Sequence, residues 1–454
     1  MGESWRAEKL PPETLQKNFV EITPPLTDEE ALVESNRCLF CYDAPCMRAC
    51  PTHINIPSFI KKIATGNLKG SARVIMESNF LGATCARVCP VDELCEGSCV
   101  YEPFNKPIMI GRLQRYATDA MIAKNWHLFE PGSPTGKRVA CVGSGPAGLS
   151  CAAELAKLGH KVTIFEKREM AGGLDTYGIV VFREPREISL KEVQMVQDLG
   201  VEFRTKVEVG KEISTQELLT TYDAVFLGLG LGRVPPLGIP GENLAGVYDA
   251  LDFVESTRTQ PIHKIEVGRR VAILGAGNTA VDAATISKRL GAEHVLILYR
   301  RGEDEMSAYR FEYEFAKNEG IEYRLFTAPV RILGNHRVEA IECVRTQLSG
   351  LDATGRRAAV SIPGSEFTIP IDMVIRATGQ HKYLQLLDNL NVKHEKGRIL
   401  INTETGQTSN PKIFAGGDCV LGPGAMAATV IAVEHGKIGA KGIHHLLTPQ
   451  KQAK

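Results

Sequence analysis

The residues best suited to redox chemistry in this sequence are cysteines, and they are concentrated towards its N-terminus. Residues 37–51 read RCLFCYDAPCMRACP, which spaces four cysteines as C-x2-C-x4-C-x3-C and closes with a proline. The cysteines of the N-terminal region are Cys38, Cys41, Cys46, Cys50, Cys85, Cys89, Cys95 and Cys99. Clustered cysteines in a chain that lacks a secretory signal bind metal more often than they form disulfides, so the sequence predicts metal centres here.

Zinc and iron–sulfur clusters are the two alternatives for these centres. Zinc sites favour two C-x2-C pairs, often together with histidine, whereas only Cys38 and Cys41 have that spacing here. Two Cys-Pro steps, Cys50-Pro51 and Cys89-Pro90, are similar to the ferredoxin run that ends in C-P. The spacing therefore favours iron–sulfur clusters over zinc.

Eight cysteines are enough for two clusters with four ligands each. In the ferredoxin run, the cysteine before the proline ligates the other cluster of the pair. If Cys50 follows this rule, it joins three of the four later cysteines, and the first three cysteines need a further ligand. By count alone, that ligand would be Cys85.

A glycine motif directly after an apolar run predicts a first dinucleotide site. Gly143, Gly145 and Gly148 form G-x-G-x-x-G, in which the glycines allow a tight turn, close approach of a pyrophosphate and close helix–strand packing. Glu166 ends the next apolar run, where a carboxylate can accept hydrogen bonds from ribose hydroxyls. The other residues assigned to this site are Pro146, Ala147 and Gly173.

A second glycine motif predicts a second dinucleotide site. Gly275, Gly277 and Ala280 form the G-x-G-x-x-A variant, with Asn278 and Thr279 between them. The end of the next apolar run carries Arg300 and Arg301 instead of an acidic residue. Guanidinium groups suit a 2′-phosphate and favour NADPH over NADH, although both arginines could simply be solvated at a strand end.

The elements that must position these residues fall into a helical region followed by a duplicated strand–turn–helix unit. The runs KRVACVGSGPAG and RRVAILGAGNTA begin the two units, and a third strand-like run, KIFAGGDCV, precedes an apolar helix expected to begin near Pro423. We expect an α/β chain with two Rossmann-like domains of the glutathione-reductase type, the second inserted in the first, after an all-α domain. The expected domains are 1–135 for the clusters, 136–245 and 378–454 for one dinucleotide, and 246–377 for the other.

Composition excludes several classes of function. Lys+Arg and Asp+Glu are both 53, and a net charge of zero argues against a nucleic-acid binder. No apolar run approaches the roughly 18 residues of a membrane helix, and the polar N-terminal residues do not form a secretory signal. These features predict a cytoplasmic protein without a membrane partner.

The cysteine motifs resemble one known family over nearly the whole chain. CLFCYDAPCMRACPT, NFLGATCARVCPVDELCEGSC and PIMIGRLQRYATD resemble the N-terminal cluster domain of dihydropyrimidine dehydrogenase, and the remainder resembles its FAD and NADPH domains. The glutamate synthase small subunit shares this three-part plan. The family's FMN-containing barrel, which reduces the pyrimidine, is not recognisable, so the chain resembles a separate electron-input subunit.

The resemblance implies a function and a set of cofactors. NADPH or NADH would reduce FAD, and single electrons would cross two 4Fe–4S clusters to an FMN-containing partner with further clusters that reduces uracil or thymine, in a hetero-oligomer. The cofactors would do the chemistry, so no general acid or nucleophile is assigned to this chain. The alternatives are a glutamate synthase small subunit, a stand-alone NAD(P)H diaphorase and a zinc-stabilised interaction module.

The resemblance also implies roles for particular residues. In two-dinucleotide flavoproteins, a segment such as FAGGDC places its aspartate on the ribityl chain of FAD, which assigns Gly417 and Asp418 to the first site. Cys419, which follows, has no C-x-x-C partner and is expected to pack. Gln114, in GRLQRYA, matches a glutamine that ligates the first cluster of the family. The implied ligand sets are Cys38, Cys41, Cys46 and Gln114, and Cys50, Cys89, Cys95 and Cys99, which leave Cys85 free.

Overall fold

The computed structural model of the protein describes residues 5–352, 355–421 and 427–448. Its α-helices are α1 (Pro12–Asn18), α2 (Asp28–Arg37), α3 (Pro45–Ala49), α4 (Ile56–Ala64), α5 (Leu68–Ser78), α6 (Gly82–Val88), α7 (Ile110–Ala123), α8 (Pro146–Lys157), α9 (Leu174–Tyr177), α10 (Arg186–Asp198), α11 (Thr215–Thr221), α12 (Ala250–Thr259), α13 (Asn278–Arg289), α14 (Arg310–Asn318), α15 (Leu384–Asn389) and α16 (Thr429–Leu447). Short 3-10 helices lie at Glu102–Phe104, Ile262–Lys264, Glu303–Glu305 and Gly417–Cys419.

The strands are β1 (Arg138–Val142), β2 (Lys161–Glu166), β3 (Glu202–Thr205), β4 (Ala224–Leu227), β5 (Val247–Asp249), β6 (Arg270–Leu274), β7 (His294–Leu298), β8 (Glu322–Arg324), β9 (Thr327–Leu333), β10 (Ala340–Leu351), β11 (Arg357–Ser361), β12 (Phe367–Pro370), β13 (Met373–Arg376), β14 (His394–Glu395), β15 (Arg398–Ile399) and β16 (Ile413–Ala415). The chain divides into two compact units. As far as they are described, the first comprises Met1–Glu21, Tyr177–Phe182 and Gly232–His381, and the second Ile22–Thr176, Arg183–Leu231 and Lys382–Lys454.

The second unit contains a parallel five-stranded sheet in the order β16-β4-β1-β2-β3. Strand β1 is exposed only at Arg138 and buried from Val139 to Val142, as an apolar run with strands on both sides requires. Helices α8 and α16 pack together, and Gly436 of α16 lies so close to α8 that a Cβ would be 2.4 Å from the Ala147 carbonyl oxygen. The sheet and these helices form the scaffold of the first glycine loop.

The cysteine-rich part of the second unit is built from α2 to α7. Helix α4 buries one face, with Ile56, Phe59, Ile60 and Ile63, against helices α2 and α5. Helix α2 starts with a capping box in which Thr27 and Glu30 exchange hydrogen bonds. The all-helical expectation for this region is confirmed.

The first unit contains a second parallel sheet, in the order β5-β13-β6-β7-β8. Strands β6 and β7 pair from Arg270 with His294 onwards, as β1 and β2 pair from Arg138 with Lys161, so the predicted duplication is confirmed. Strand β10 also pairs with β9, β11 and β12 in an antiparallel sheet that the sequence analysis did not predict.

The N-terminal residues belong to a different unit from the one expected. The sequence places them in the cluster domain (1–135), but the Ala7 N–H donates a hydrogen bond to the Val267 carbonyl and the Trp5 carbonyl accepts one from the Arg269 N–H, within the first unit. Composition could not show this, because a short segment takes its partner from tertiary packing. The final helix begins at Thr429, while the expected start near Pro423 lies outside the described residues.

None of the helices described here is long and apolar enough to cross a membrane.

The contact between α8 and α16 gives a stability prediction. Gly436→Ala puts a methyl group onto the Ala147 carbonyl, so we expect a loss of about 1–3 kcal/mol in stability. The control is Gly350→Ala on β10, where within the described chain a Cβ meets nothing within 4 Å. Thermal unfolding followed by circular dichroism should show a lower midpoint for the first variant only, and equal midpoints would contradict the close contact.

Candidate functional site

The first glycine loop joins β1 to α8 and has the shape of a phosphate cradle. Gly143 has φ +98°, and a Cβ there would lie 2.3 Å from the Gly228 carbonyl oxygen. A Cβ on Gly148 would lie 2.0 Å from the Gly143 carbonyl oxygen, so turn and helix are in contact. Gly145 begins α8 without a side-chain cap among the described residues, and its nearest neighbour, Gly173, is 3.9 Å from a Cβ position. Anions bind well at such a helix start.

Glu166 lies at the end of β2 beside this loop and is buried. Its Oε2 atom accepts hydrogen bonds from the Ser144 backbone N–H at 3.1 Å and the Ser144 hydroxyl at 2.6 Å. Its Oε1 atom accepts one from the Arg168 N–H at 2.9 Å. These bonds hold the carboxylate next to the loop, at the place where a ribose hydroxyl would be recognised.

The turn after β16 lies close to the same loop. A Cβ on Gly417 would lie 3.1 Å from the Ala147 Cβ, and the Gly417 N–H donates to His435 Nδ1 at 3.2 Å. Burial raises the pKa of the adjacent Asp418, while Arg398 and His435 lower it. The structure thus places Gly417 beside α8, as expected for one shared dinucleotide site.

Cys419 is buried behind this turn. Its thiol donates hydrogen bonds to the carbonyl oxygens of Gly416 at 3.3 Å and Leu227 at 3.5 Å. Burial raises the pKa of Cys419 to about 11, so the thiol stays protonated at neutral pH. This environment agrees with a packing role.

The second glycine loop, in the first unit, repeats the geometry of the first. Gly275 has φ +125°, and a Cβ there would lie 2.5 Å from the Ala377 carbonyl oxygen. Helix α13 starts after Gly277 with no side-chain cap among the described residues. Asn278 Oδ1 accepts a hydrogen bond from the Tyr309 N–H at 3.1 Å. The remaining motif residues are Thr279, which is half-buried, and Ala280, which is fully buried.

The two arginines after β7 have different environments. The Arg301 guanidinium is buried, ion-paired with Asp352 at 2.6 Å and bonded to the Arg357 carbonyl oxygen at 2.6 Å. Arg300 is exposed, and its carbonyl oxygen accepts a hydrogen bond from the Thr346 hydroxyl at 2.8 Å. This geometry argues against a role for Arg301 in binding the 2′-phosphate of NADPH. Of the two arginines, Arg300 remains the candidate for that role.

The eight N-terminal cysteines line two separate cavities in the second unit. The first has about 370 Å³ of empty space, part of it open to solvent, and its cysteines are Cys38, Cys41, Cys46 and Cys99. The second has about 380 Å³, and its candidate ligands are Cys50, Cys85, Cys89, Cys95 and Gln114. The four cysteines of the opening stretch therefore do not share one cavity, since Cys50 lies apart from the other three.

This grouping corrects two expected assignments. The resemblance implies Gln114 as a ligand of the first cluster and Cys99 as a ligand of the second, whereas in the structure Cys99 lines the first cavity and Gln114 the second. Gln114 lies on α7, where the Gly111 N–H donates to Glu96 Oε1 at 2.9 Å and the Gln114 amide nitrogen donates to the Gly82 carbonyl at 2.8 Å. The Gly82 contact brings the glutamine to α6, the Glu96 contact ties the start of α7 to the segment that carries Cys95, and Gln114 lines the second cavity. Its amide oxygen is the atom of this side chain that can ligate a metal.

The chemistry of the cavity walls fits clusters better than single ions. No three Cys, His, Asp or Glu side chains among the described residues converge on one ion. One zinc ion with Zn–S bonds of about 2.3 Å would hold four sulfur atoms about 3.8 Å apart. The described cysteines do not converge in this way, and they border cavities of about 370 and 380 Å³ that are partly open to solvent. Burial raises the pKa of Cys46 to about 11, so this thiol is protonated at neutral pH unless a bound metal ion stabilises the thiolate.

Sequence reasoning missed two parts of the first dinucleotide site. Ser144 bonds Glu166 through both its backbone and its hydroxyl, and Gly228 meets the glycine loop at the end of β4. The run GLGLG directly after the apolar strand AVFL was the available signal for Gly228. Nothing in the sequence, apart from the position of Ser144 inside the glycine motif, indicated that its side chain would contact Glu166.

Family profiles match both parts of the chain. Residues 15–126 match dihydropyrimidine dehydrogenase domain II, 4Fe-4S cluster. Residues 137–436 match pyridine nucleotide-disulphide oxidoreductase. These matches confirm the expected cofactor classes, 4Fe–4S centres followed by flavin and pyridine nucleotide, and the expected fold class.

Curated relatives cover nearly the whole chain. The chain is 37% identical to the glutamate synthase [NADPH] small chain of Escherichia coli (strain K12), over 97% of its own length and 96% of the relative's. It is 36% identical to the NAD-dependent dihydropyrimidine dehydrogenase subunit PreT of Salmonella typhimurium, over 95% and 98%. Among solved structures, Mycobacterium tuberculosis FprA in complex with NADPH has a TM-score of 0.54 at 22% identity, covering 68% of this chain and 85% of FprA, which supports the fold alone.

The second cavity leads to a prediction about its fourth ligand. Cys85→Ser should keep about eight irons, because two 4Fe–4S clusters retain all their ligands, whereas Gln114→Leu removes the amide oxygen and should perturb or destroy one cluster. Iron content and the electron paramagnetic resonance (EPR) signal of the reduced protein distinguish the variants. Iron loss in Cys85→Ser with a normal Gln114→Leu would make Cys85 the ligand.

The two arginines give a second prediction. Arg300→Gln should raise the KM for NADPH selectively, since a charge-assisted bond to phosphate contributes about 1.5–3 kcal/mol. Arg301→Gln should lower stability instead, because it leaves Asp352 without its buried ion-pair partner. Steady-state kinetics with NADPH and NADH, beside thermal unfolding, test both. Equal losses with the two nucleotides in Arg300→Gln would exclude 2′-phosphate recognition.

Proposed function

Because this chain belongs to the pyridine nucleotide-disulphide oxidoreductase family and carries a 4Fe-4S domain before that region, we propose that it is an electron-input subunit. It would take electrons from NADPH or NADH and pass them through FAD and two 4Fe–4S clusters to a partner subunit. The partner would reduce uracil or thymine to the 5,6-dihydropyrimidine, a reaction on a CH–CH group. The cytoplasmic location expected from the sequence is part of this proposal.

The observation that carries the proposal is the position of α16. The helix follows the turn that contains Gly417, and near its start Val430 lines the second cysteine cavity. One helix therefore borders the first dinucleotide site and the wall of a metal site within the same compact unit. A protein that only bound nucleotides would have no use for this juxtaposition, whereas electron transfer from a flavin to a cluster requires it.

The chain's own residues would bind and orient the cofactors. When bound, the flavin can accept a hydride from the nicotinamide and release single electrons, and the clusters carry single electrons. Gly145 and the start of α8 would bind the FAD pyrophosphate, Glu166 the adenosine ribose and Asp418 the ribityl chain. Gly277 and the start of α13 would bind the pyrophosphate of the second dinucleotide.

The ligand sets proposed for the clusters follow the cavity walls. Cys38, Cys41, Cys46 and Cys99 would hold the first cluster. Cys50, Cys89, Cys95 and Gln114 would hold the second. An amide oxygen is a hard ligand for iron and would give the second cluster a potential different from that of an all-cysteine centre.

The pyrimidine assignment is supported by the family profile of residues 15–126 and by the dehydrogenase subunit that is 36% identical. That relative is named a subunit, which supports a hetero-oligomer, and we propose an FMN-containing partner with further clusters. A second candidate is the glutamate synthase small chain, favoured by the relative that is 37% identical over 97% of the chain. The two candidates use the same parts and differ in the partner.

Co-purification from the native source, followed by anaerobic assays of the complex, tests the proposal. We expect NAD(P)H oxidation that depends on uracil or thymine and does not respond to glutamine plus 2-oxoglutarate. The reverse dependence would establish the second candidate. Dye reduction without a partner or a response to either substrate set would indicate a stand-alone diaphorase.

A substitution in the second cavity tests whether the electrons pass through it in this assay. Cys50→Ser should abolish substrate-dependent oxidation while NAD(P)H still bleaches the flavin, because the electron path is broken after the flavin. The matched control is Cys85→Ser, which should keep both activities. Full substrate-dependent activity in Cys50→Ser would contradict a path through this cavity.

A further inference from the structure

One face of α16 is directed towards the loop that follows Cys50. Val430, Glu434 and Lys437 are separated by four and three residues and therefore share this face. Val430 lines the second cavity. Lys437 Nζ donates to the Thr52 carbonyl oxygen at 3.0 Å and is ion-paired with Glu434 at 2.7 Å. All of these residues belong to the second unit.

The Thr52 end of this contact lies next to the cavity wall, because Cys50 and Pro51 line the second cavity and directly precede Thr52. Thr52 is 1% exposed, and its hydroxyl lies 3.4 Å from the Cys50 sulfur atom. The Thr52 carbonyl that receives Lys437 is therefore two residues from a cysteine of the second cavity. The Lys437 side chain is only 13% exposed, so its bond to Thr52 is largely shielded from water.

The opposite side of α16 holds the turn of the first dinucleotide site. His435 Nδ1 accepts the hydrogen bond from the Gly417 N–H, and Gly436 lies against the Ala147 carbonyl oxygen. Two adjacent turns of α16 thus contact the Gly417 turn and the start of α8 on one side, and the loop that follows Cys50 on the other. Because neighbouring turns of one helix make both sets of contacts, a displacement of either loop relative to α16 changes the separation of the two sites.

We propose that Lys437 is a positioning residue, which fixes the wall of the second cavity against α16 and so sets the separation between the flavin site and the second cluster. The inference rests on the proposed function. Electron tunnelling falls exponentially with distance, so a small displacement of the Cys50 loop slows transfer without removing either cofactor. One electron leaves the reduced flavin and one enters the cluster, and Lys437 itself neither gains nor loses a proton.

A change in charge near the cluster is a competing explanation for slower electron transfer in a Lys437 variant. A second substitution at Glu434 tests this explanation. Lys437→Met removes the bond to Thr52 and also leaves the Glu434 carboxylate without its partner on this face, which would lower the potential of a nearby cluster. The double variant Lys437→Met/Glu434→Gln removes both charges and still lacks the bond. Lys437→Arg keeps the charge and a donor at the same place.

The experiment uses the purified chain with its cofactors, mixed anaerobically with NADPH. Absorbance follows reduction of the flavin, and freeze-quenched EPR follows reduction of the clusters. We expect Lys437→Met and the double variant to keep full iron and flavin content but to reduce the clusters severalfold more slowly after the flavin. Lys437→Arg should restore most of the rate, and the control Lys441→Met, an exposed lysine on the same helix, should match the unaltered protein.

The possible outcomes separate this inference from the proposed function. Lys437→Met with the same cluster reduction rate as Lys441→Met would overturn the positioning role and leave the proposed function standing. A normal rate in the double variant, with slow transfer only in Lys437→Met, would assign the effect to charge and also overturn it. Clusters that stay oxidised in the unaltered protein after its flavin is reduced would overturn both.

Discussion

The close approach of α8 and α16 is the constraint on which the rest of the candidate site depends. Gly436 allows the backbone of α16 to lie on the Ala147 carbonyl, at the first turn of α8. That contact brings the Gly417 turn to the first glycine loop, and it leaves the opposite face of α16 free to contact the Cys50 loop. A larger residue at Gly436 would separate all three features at once.

The two cysteine cavities show that helix packing can group the cysteines differently from their order in the chain. Eight cysteines suggested two equal sets, and the chain order suggested that Cys99 belongs with its neighbours. Helix α7 instead carries Gln114 to the Gly82 carbonyl on α6, and Cys99 lines the other cavity. Chain connectivity cannot reveal this exchange, because both arrangements use the same spacing and only the packing of α6 against α7 distinguishes them.

The two arginines after β7, at the second dinucleotide site, also show that the order of residues in the chain does not predict their surroundings. Arg300 and Arg301 lie in a bend after β7, where one side chain is exposed and the other is buried. The antiparallel sheet β9–β12 distinguishes them, because Asp352, directly after β10, and the carbonyl of Arg357, at the start of β11, reach Arg301 only after the chain has folded. Arg300, the exposed member of the pair, is therefore the one that we propose for recognition of a 2′-phosphate.

The sequence by itself determined the helices, strands and turns that depend on interactions between residues close together in the chain. Glycines before α8 and α13, the apolar runs of β1, β2, β6 and β7, and the cysteine spacing all depend on neighbours in the chain, and the predicted fold followed from them. The tertiary structure alone decided which residues meet across long separations. Examples are the division of the cysteines and Gln114 between two cavities, the burial of Arg301, the attachment of residues 5–21 to the first unit and the Lys437–Thr52 contact. These features depend on helix packing and sheet order, which no single-sequence pattern encodes.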